Sequence, residues 1–292
     1  MGDLGAIKQN LYAVSPRLYA TAYRLYRSTP YARRRIARID GDVARKFDRR
    51  LAYEAAIVRK YLDDDWTVRH GPFAGLRYAA VAANSLLSPK IIGSYESPIH
   101  RWIDEAIGRR YDTILDIGCA EGYYAAGLAV KSARSEIHAY DTDGLARRHT
   151  AALARLNGVS DRVHLHDLCT IAELDRRSTR GTLIVCDIEG AELDLLRPDL
   201  APRLAQPDLI IESHDDRRPG ITDTLVRRFL PTHRIEIAYH CVKLPAEFPA
   251  LAAVPASEHE TLLAEGRPRA QCWMRLLANP PGSVEPGNWW IG

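Results

Sequence analysis

From Asp112 onward, short apolar runs alternate with stretches of helical period, and that order leaves few folds open. Strand, helix and strand in succession imply βαβ units, which pack a mainly parallel sheet between layers of helices. The strand candidates are Thr113–Ile117, Glu136–Tyr140, Arg162–His166, Thr182–Cys186, Asp208–Glu212, Arg234–Tyr239 and Cys272–Ala278. Helices separate the first six of these seven, and the last is reached through a long insertion around Cys241–Ala270.

The chain before Asp112 reads differently. Leu11, Leu18 and Leu25, beside Tyr12, Tyr19 and Tyr26, form one apolar stripe on a helix that Pro16 restarts. Thr29-Pro30 opens a second, long amphipathic helix through Ile36, Ile39, Val43, Phe47, Leu51, Val58 and Leu62, ending near Asp63-Asp64-Asp65. Between Trp66 and Tyr78 the pattern alternates and is broken by Gly71-Pro72 and Gly75, as in a β-ribbon or a lid-like loop. Ser97-Pro98 then starts a helix carrying Ile99, Trp102, Ile103, Ala106 and Ile107. The resulting layout is a helical extension over 1–65, a ribbon and helix lead-in over 66–110, the α/β domain over 111–280, and a Pro/Gly/Trp tail over 281–292. The tail reads as irregular, with Trp289 and Trp290 too apolar to stay in water, so they dock on the body or on a second subunit.

Charge is unevenly spread: residues 1–60 hold 14 Lys/Arg against 5 Asp/Glu, so this segment is +9 and the remainder −6. Its leucine and tyrosine stripe needs a partner surface, which predicts helices that cover an active-site mouth or pair across a homodimer. Arg33, Arg34 and Arg35 have no aromatic stacking platform interleaved with them, which argues against nucleic acid. No run of eighteen apolar residues occurs and MGDLGAIKQN lacks a secretory pattern, so the expectation is a cytoplasmic protein without a membrane span. The five cysteines are scattered and without CxxC spacing, which predicts small buried apolar residues rather than disulfides or a zinc knuckle.

Two clusters carry chemistry. In Leu115-Asp116-Ile117-Gly118-Cys119-Ala120-Glu121-Gly122 a buried strand runs into a glycine turn that opens a helix, the form of a nucleoside-cofactor site. Gly118 lets the backbone approach a ligand and Gly122 permits close helix contact, while Ala120 in place of the middle glycine would crowd a pyrophosphate and so weighs against NAD. Asp141 closes the second strand 23 residues after Gly118, the spacing at which an acid accepts ribose hydroxyls; alternatively it caps the next helix, as Thr142 and Asp143 also could. At the third strand end, Asp167 could accept from an adenine amine and Leu168 donate its N–H to a ring nitrogen. The second cluster, Asp187-Ile188-Glu189-Gly190-Ala191-Glu192, brings three carboxylates to the carboxyl edge of the sheet, where open α/β folds bind ligands.

The whole pattern resembles the class I S-adenosylmethionine-dependent methyltransferases, and Asp187–Glu192 resembles the D-x-E-G-x-E element of their FkbM-type family. The likeness covers roughly Leu86 to Pro280, with support from Asn157 and from the stretch HGPFAGLRY upstream. It implies a Rossmann-like fold: a seven-stranded, mostly parallel sheet with the last strand antiparallel, here with an α-helical N-terminal extension. Adenosylmethionine would be the cofactor and S-adenosylhomocysteine the product. Asp116, Gly118, Cys119, Ala120, Gly122 and Tyr123 would surround its methionine part, Asp141 and Thr142 the ribose, and Asp167 with Leu168 the adenine, with Asp187 at the reaction centre. The family's usual Glu-Pro after the second strand is Asp141-Thr142 here.

Methyl transfer from a sulfonium needs in-line alignment and exclusion of water, and an alcohol acceptor also needs a base or a metal. His214, in Glu212-Ser213-His214-Asp215 at the fifth strand end, is the candidate base beside Asp187, unless it only caps a loop or bonds a carbonyl. Asp187, Glu212, His214 and Asp215 could instead converge on Mg²⁺. The acceptor suggested by the FkbM-type resemblance is a sugar, polyketide or similar small metabolite, methylated on oxygen, in natural product biosynthesis. The competing expectations are a metal-dependent O-methyltransferase and a catalytically silent cofactor-binding partner protein.

Overall fold

The structure, a computed structural model, describes residues 49–79, 85–265, 271–280 and the backbone of 289–291. The chain divides into two units, Met1–Ala52 and Tyr53–Gly292, and the second carries the sheet. The paired helices expected over 1–48 lie outside the described residues.

Among the described residues, eight strands form one sheet: β1 (Thr113–Ile117), β2 (Glu136–Tyr140), β3 (Val163–His166), β4 (Thr182–Cys186), β5 (Asp208–Ser213), β6 (His233–Tyr239), β7 (Cys272–Ala278) and β8 (Trp289–Ile291). Their order is β3-β2-β1-β4-β5-β7-β6-β8. Strands β1 to β5 pair in parallel, while β7 runs antiparallel to both neighbours. This is the Rossmann-like methyltransferase sheet, with its order reversing between β1 and β4. A parallel sheet covered on both faces demands apolar runs rather than alternation, and β4 (Thr-Leu-Ile-Val-Cys) is buried at every position.

Of the seven strands legible in the sequence, all form, with ends shifted by one residue: β3 starts at Val163, β5 reaches Ser213 and β6 begins at His233. Arg162 stands just before β3: its carbonyl still accepts the Ile137 amide of β2 at 2.8 Å, and its guanidinium donates to the carbonyls of Ala129, Ser132 and Ser135. The eighth strand corrects the irregular tail: Trp289–Ile291 pairs in parallel with β6, Ile235 opposite Trp289. Its Pro- and Gly-rich approach hides a backbone pairing that relieves the open edge of β6.

Residues 49–61 are helical, and Asp63 and Asp64 with positive φ end that helix where the acidic run predicted it. The 66–78 stretch closes as a ribbon through the Thr67–Arg77 bridge, with Val68, Phe73, Leu76 and Tyr78 buried. Phe73 lies flat on Gly127, where any Cβ would sit 2.6 Å from the ring. The expected helix appears as α3 (His100–Arg109) after a short turn at Ser97–Ile99; α2 (Leu87–Ile92) precedes it, the residues 49–61 counting as α1. Beyond these come α4 (Tyr123–Lys131), α5 (Gly144–Leu156), α6 (Ile171–Arg177), α7 (Glu192–Leu195), α8 (Ile221–Phe229) and, in the insertion, α9 (Ala256–Leu263). Leu115, Ile117, Ile184, Leu209 and Ile211 meet Leu174, Leu225 and Phe229 in a continuous apolar layer, where truncating Phe229 to alanine would cost about 3–5 kcal/mol. The cysteines are all free thiols, buried except Cys241. No described helix is long and apolar enough to cross a membrane.

Candidate active site

The turn after β1 is built by backbone rather than by side chains. Gly118 takes φ +90°, and a Cβ there would stand 1.7 Å from the Asp187 carbonyl oxygen, so only glycine fits. The amides of Gly118 and Cys119 both donate to the Tyr140 carbonyl at 2.8 and 3.0 Å, and the Asp187 amide donates to Ile117 O at 2.9 Å. Three strand ends are thereby tied together at one point. Ala120 adopts φ +49° without being glycine, and its amide donates to Asp141 Oδ2 at 2.9 Å. A carboxylate from the β2 end thus closes the β1 turn.

Above this knot opens a cavity of about 770 Å³, lined from the β1, β2 and β3 ends by Asp116, Gly118, Cys119, Ala120, Tyr123, Asp141, Thr142, Asp167 and Leu168, and from the β4 and β5 ends by Asp187, Glu212 and His214. Its size is that of a pocket for a cofactor-sized ligand. One expected member is displaced. Gly122 does not line the cavity; it caps α4 at φ +95°, and a Cβ would stand 2.8 Å from Thr150 on α5, so its missing side chain serves helix contact. The capping question at β2 also resolves, since Asp143 accepts the Leu145 amide and caps α5 while Asp141 faces the turn.

Asp116 is 2% exposed, and its Oδ2 has no hydrogen-bond partner among the described residues. Burial first, and the nearby Asp187 charge second, push its pKa up to about 8. A buried carboxyl so placed fits the cationic end of adenosylmethionine, the turn at Gly118 fits close backbone approach, and Asp141 fits the ribose. At the adenine end the fit is looser. The Leu168 amide, expected to meet a ring nitrogen, is taken up by Asp167 Oδ1 at 2.8 Å, and the Leu168 side chain is exposed.

The other half of the cavity is made by side chains. After β4 the chain turns through Glu189 and Gly190, both at positive φ, and Glu192 opens α7. His214, 1% exposed, follows β5, with Nδ1 2.8 Å from Glu192 Oε1 and Nε2 3.5 Å from Asp187 Oδ1 and 3.7 Å from Glu189 Oε2. It therefore bonds a carboxylate rather than a loop carbonyl. Burial lowers its pKa, but the Glu192 hydrogen bond and the charges of Asp187, Glu192 and Glu189 outweigh that, and the net direction is upward. Ligand atoms of Asp187, Glu212 and His214 lie within 4.8 Å of one another. Asp215 departs from the expected ligand set, because its carboxylate accepts the amides of Gly220, Ile221 and Thr222 and so caps α8.

Residues 100–230 match the model of the ribosomal protein L11 methyltransferase family, PrmA. The chain is a class I adenosylmethionine-dependent methyltransferase. Solved structures similar to this methyltransferase include an rRNA methylase from Streptococcus thermophilus, 15% identical, covering 62% of this chain and 96% of that one at a TM-score of 0.42. A methyltransferase from Geobacter sulfurreducens is 16% identical, covering 59% and 74% at 0.37, and the METTL16 methyltransferase domain lacking its N-terminus is 12% identical, covering 69% and 88% at 0.43. At such values the likeness bears on neither acceptor nor mechanism. No curated protein sequence matches this methyltransferase.

Sequence reasoning overlooked one group in the methyltransferase's cavity wall. Lys90 pairs with Glu121, both almost wholly buried, and Glu121 also accepts from Tyr78 Oη at 2.7 Å, while Lys90 Nζ sits 2.6 Å from Ser85 Oγ and 4.7 Å from the Tyr95 ring centre. Glu121 stands inside the glycine turn, yet its partner lies 31 residues upstream, and no local pattern links them. Tyr123 and Tyr124, adjacent on α4, both line the cavity and meet each other edge-on at 5.5 Å.

Proposed function

We propose that the methyltransferase methylates a hydroxyl of a small metabolite, such as a sugar or polyketide, with His214 as general base beside Asp187. Bound adenosylmethionine supplies a methyl on a sulfonium, a good electrophile whose leaving group departs neutral. The chain's own contribution is placement and proton handling. Gly118 and Asp141 would seat the cofactor across the β1 and β2 ends, and Asp116 would face its positive charge. His214 Nε2, directed into the cavity, would take the acceptor's proton as the new bond forms, and Asp187 would stabilise the resulting imidazolium. The observation that carries this reading is the buried histidine, bonded on one nitrogen and facing the cavity with the other. The FkbM-type likeness of Asp187–Glu192 supplies the acceptor class.

The test is incubation with isotopically labelled adenosylmethionine and a small-metabolite extract, wild type against His214→Asn. Label entering an alkali-stable ether product in the wild type alone supports the proposal, whereas equal labelling by the variant removes His214 as base. Two observations favour other versions. Asp187, Glu212 and His214 offer oxygen and nitrogen donors suited to Mg²⁺, and loss of turnover in EDTA with recovery on adding Mg²⁺ would select that route. The match to the L11 methyltransferase family favours a protein acceptor, which labelled protein in place of labelled metabolites would reveal.

A further inference from the structure

Glu192 stands behind the cavity rather than in its wall, since His214 lines that wall and Glu192 does not. Its side chain is fully buried. Oε1 accepts from His214 Nδ1 at 2.8 Å and from the Gly190 amide at 3.1 Å, while Oε2 has no hydrogen-bond partner among the described residues. Taking a carboxylate out of water is costly, so a glutamate held there with one bonded oxygen calls for a reason. A neutral imidazole has one N–H and one lone pair, whereas a carboxylate only accepts. The proton facing Glu192 must then lie on Nδ1, and the lone pair on Nε2, the nitrogen 3.5 Å from Asp187.

We infer that Glu192 is a positioning residue that locks His214 in the Nδ1–H form and aims a basic Nε2 at the acceptor. The inference rests on the proposed role of His214 but is separable from it. The same logic of a buried carboxylate orienting an imidazole operates in serine hydrolases, where replacing the acid by its amide leaves the geometry but yields the wrong tautomer. Gly190 completes the device: at φ +104° it turns its amide onto the Glu192 oxygen and fixes the carboxylate's own orientation. Asp187 and Glu192, five residues apart in one motif, thus flank the two nitrogens of one ring brought from β5.

The experiment reads the tautomer directly and needs no acceptor. Full-length protein carrying ¹⁵N-histidine is examined by long-range ¹H–¹⁵N correlation, with the His214 signals among those of the ten histidines identified by their loss in His214→Asn. At a pH above the raised titration of His214, the wild type is expected to show protonated Nδ1 and bare Nε2, and Glu192→Leu, which removes the acceptor, to populate the Nε2–H form. In that variant, labelled methyl transfer into a small-metabolite extract should fall on the order of 10²- to 10⁴-fold while adenosylmethionine affinity stays within threefold. Protonated Nε2 in the wild type at that pH, or an unchanged tautomer in Glu192→Leu, overturns the inference, and the wild-type spectrum decides even if the variant does not fold. Should the tautomers behave as expected while His214→Asn transfers methyl normally, the positioning stands and the base assignment fails.

Discussion

The two halves of the cavity are built by different means. The half at the β1 and β2 ends is shaped by backbone: a glycine without room for a Cβ, amides shared with a strand-end carbonyl, and one carboxylate closing the turn. The half at the β4 and β5 ends is shaped by side chains, with His214 among Asp187, Glu189, Glu192 and Glu212. A backbone site tolerates little change and suits a ligand that never varies, whereas a side-chain site can be re-tuned for each acceptor while the sheet stays fixed.

That contrast breaks if damage to the turn is mild. Gly118→Ala should destabilise the fold by about 3 kcal/mol or more, a loss of roughly 6–12 °C in melting temperature, because the clash is with backbone at positive φ. Calorimetry showing a smaller shift and normal cofactor binding would mean that the turn is softer than its geometry. Asp116 gives the next effect, through pH. Its pKa of about 8 in the fold lies above that of an exposed aspartate, so its contribution to stability is complete below about pH 4 and is lost as pH rises toward 8. Melting curves of Asp116→Asn without cofactor should lose that decline, and a variant that keeps it would place the titration elsewhere.

On the acceptor side, His214→Asn should lower methyl transfer about 10²- to 10⁴-fold with cofactor affinity unchanged. A parallel loss of affinity would merge the two halves into one functional unit. Asp141→Ala should do the reverse, weakening adenosylmethionine binding about 10²-fold, if Asp141 holds the ribose as proposed, since two charge-assisted hydrogen bonds would be worth about 3 kcal/mol. If binding survives, the carboxylate merely shapes the Ala120 turn. The smallest effect belongs to Asp215→Ala, about 1–2 kcal/mol of stability from an uncapped α8, with methyl transfer retained.

The same division explains what the sequence disclosed. The strands are legible because parallel pairing buries both faces and writes itself as apolar runs such as Thr182–Cys186. Gly118 and Asp141 are legible because a backbone site requires particular residues at particular strand ends. His214 and Asp187 stand out in the sequence, but Glu192 reads there as one carboxylate among three and Asp215 as a metal ligand, since only the folded chain decides which acid turns inward and which caps a helix. Gly122 shows its conformational need without showing whether the neighbour is a ligand or Thr150. The eighth strand is hidden for a related reason, as edge pairing uses main-chain groups that every residue carries.

The antiparallel β7 has a consequence for how the molecule is made. Strands β5 and β6 never touch; both bind to β7, which is contributed by Cys272–Ala278. A nascent chain that has emerged only as far as Tyr239 can assemble five strands, but the sixth has no ladder to join until some forty more residues leave the ribosome. During that interval the apolar side chains of Ile235 and Ile237 await cover, so a stop codon before Gln271 should yield a sticky, chaperone-bound fragment rather than a shortened enzyme.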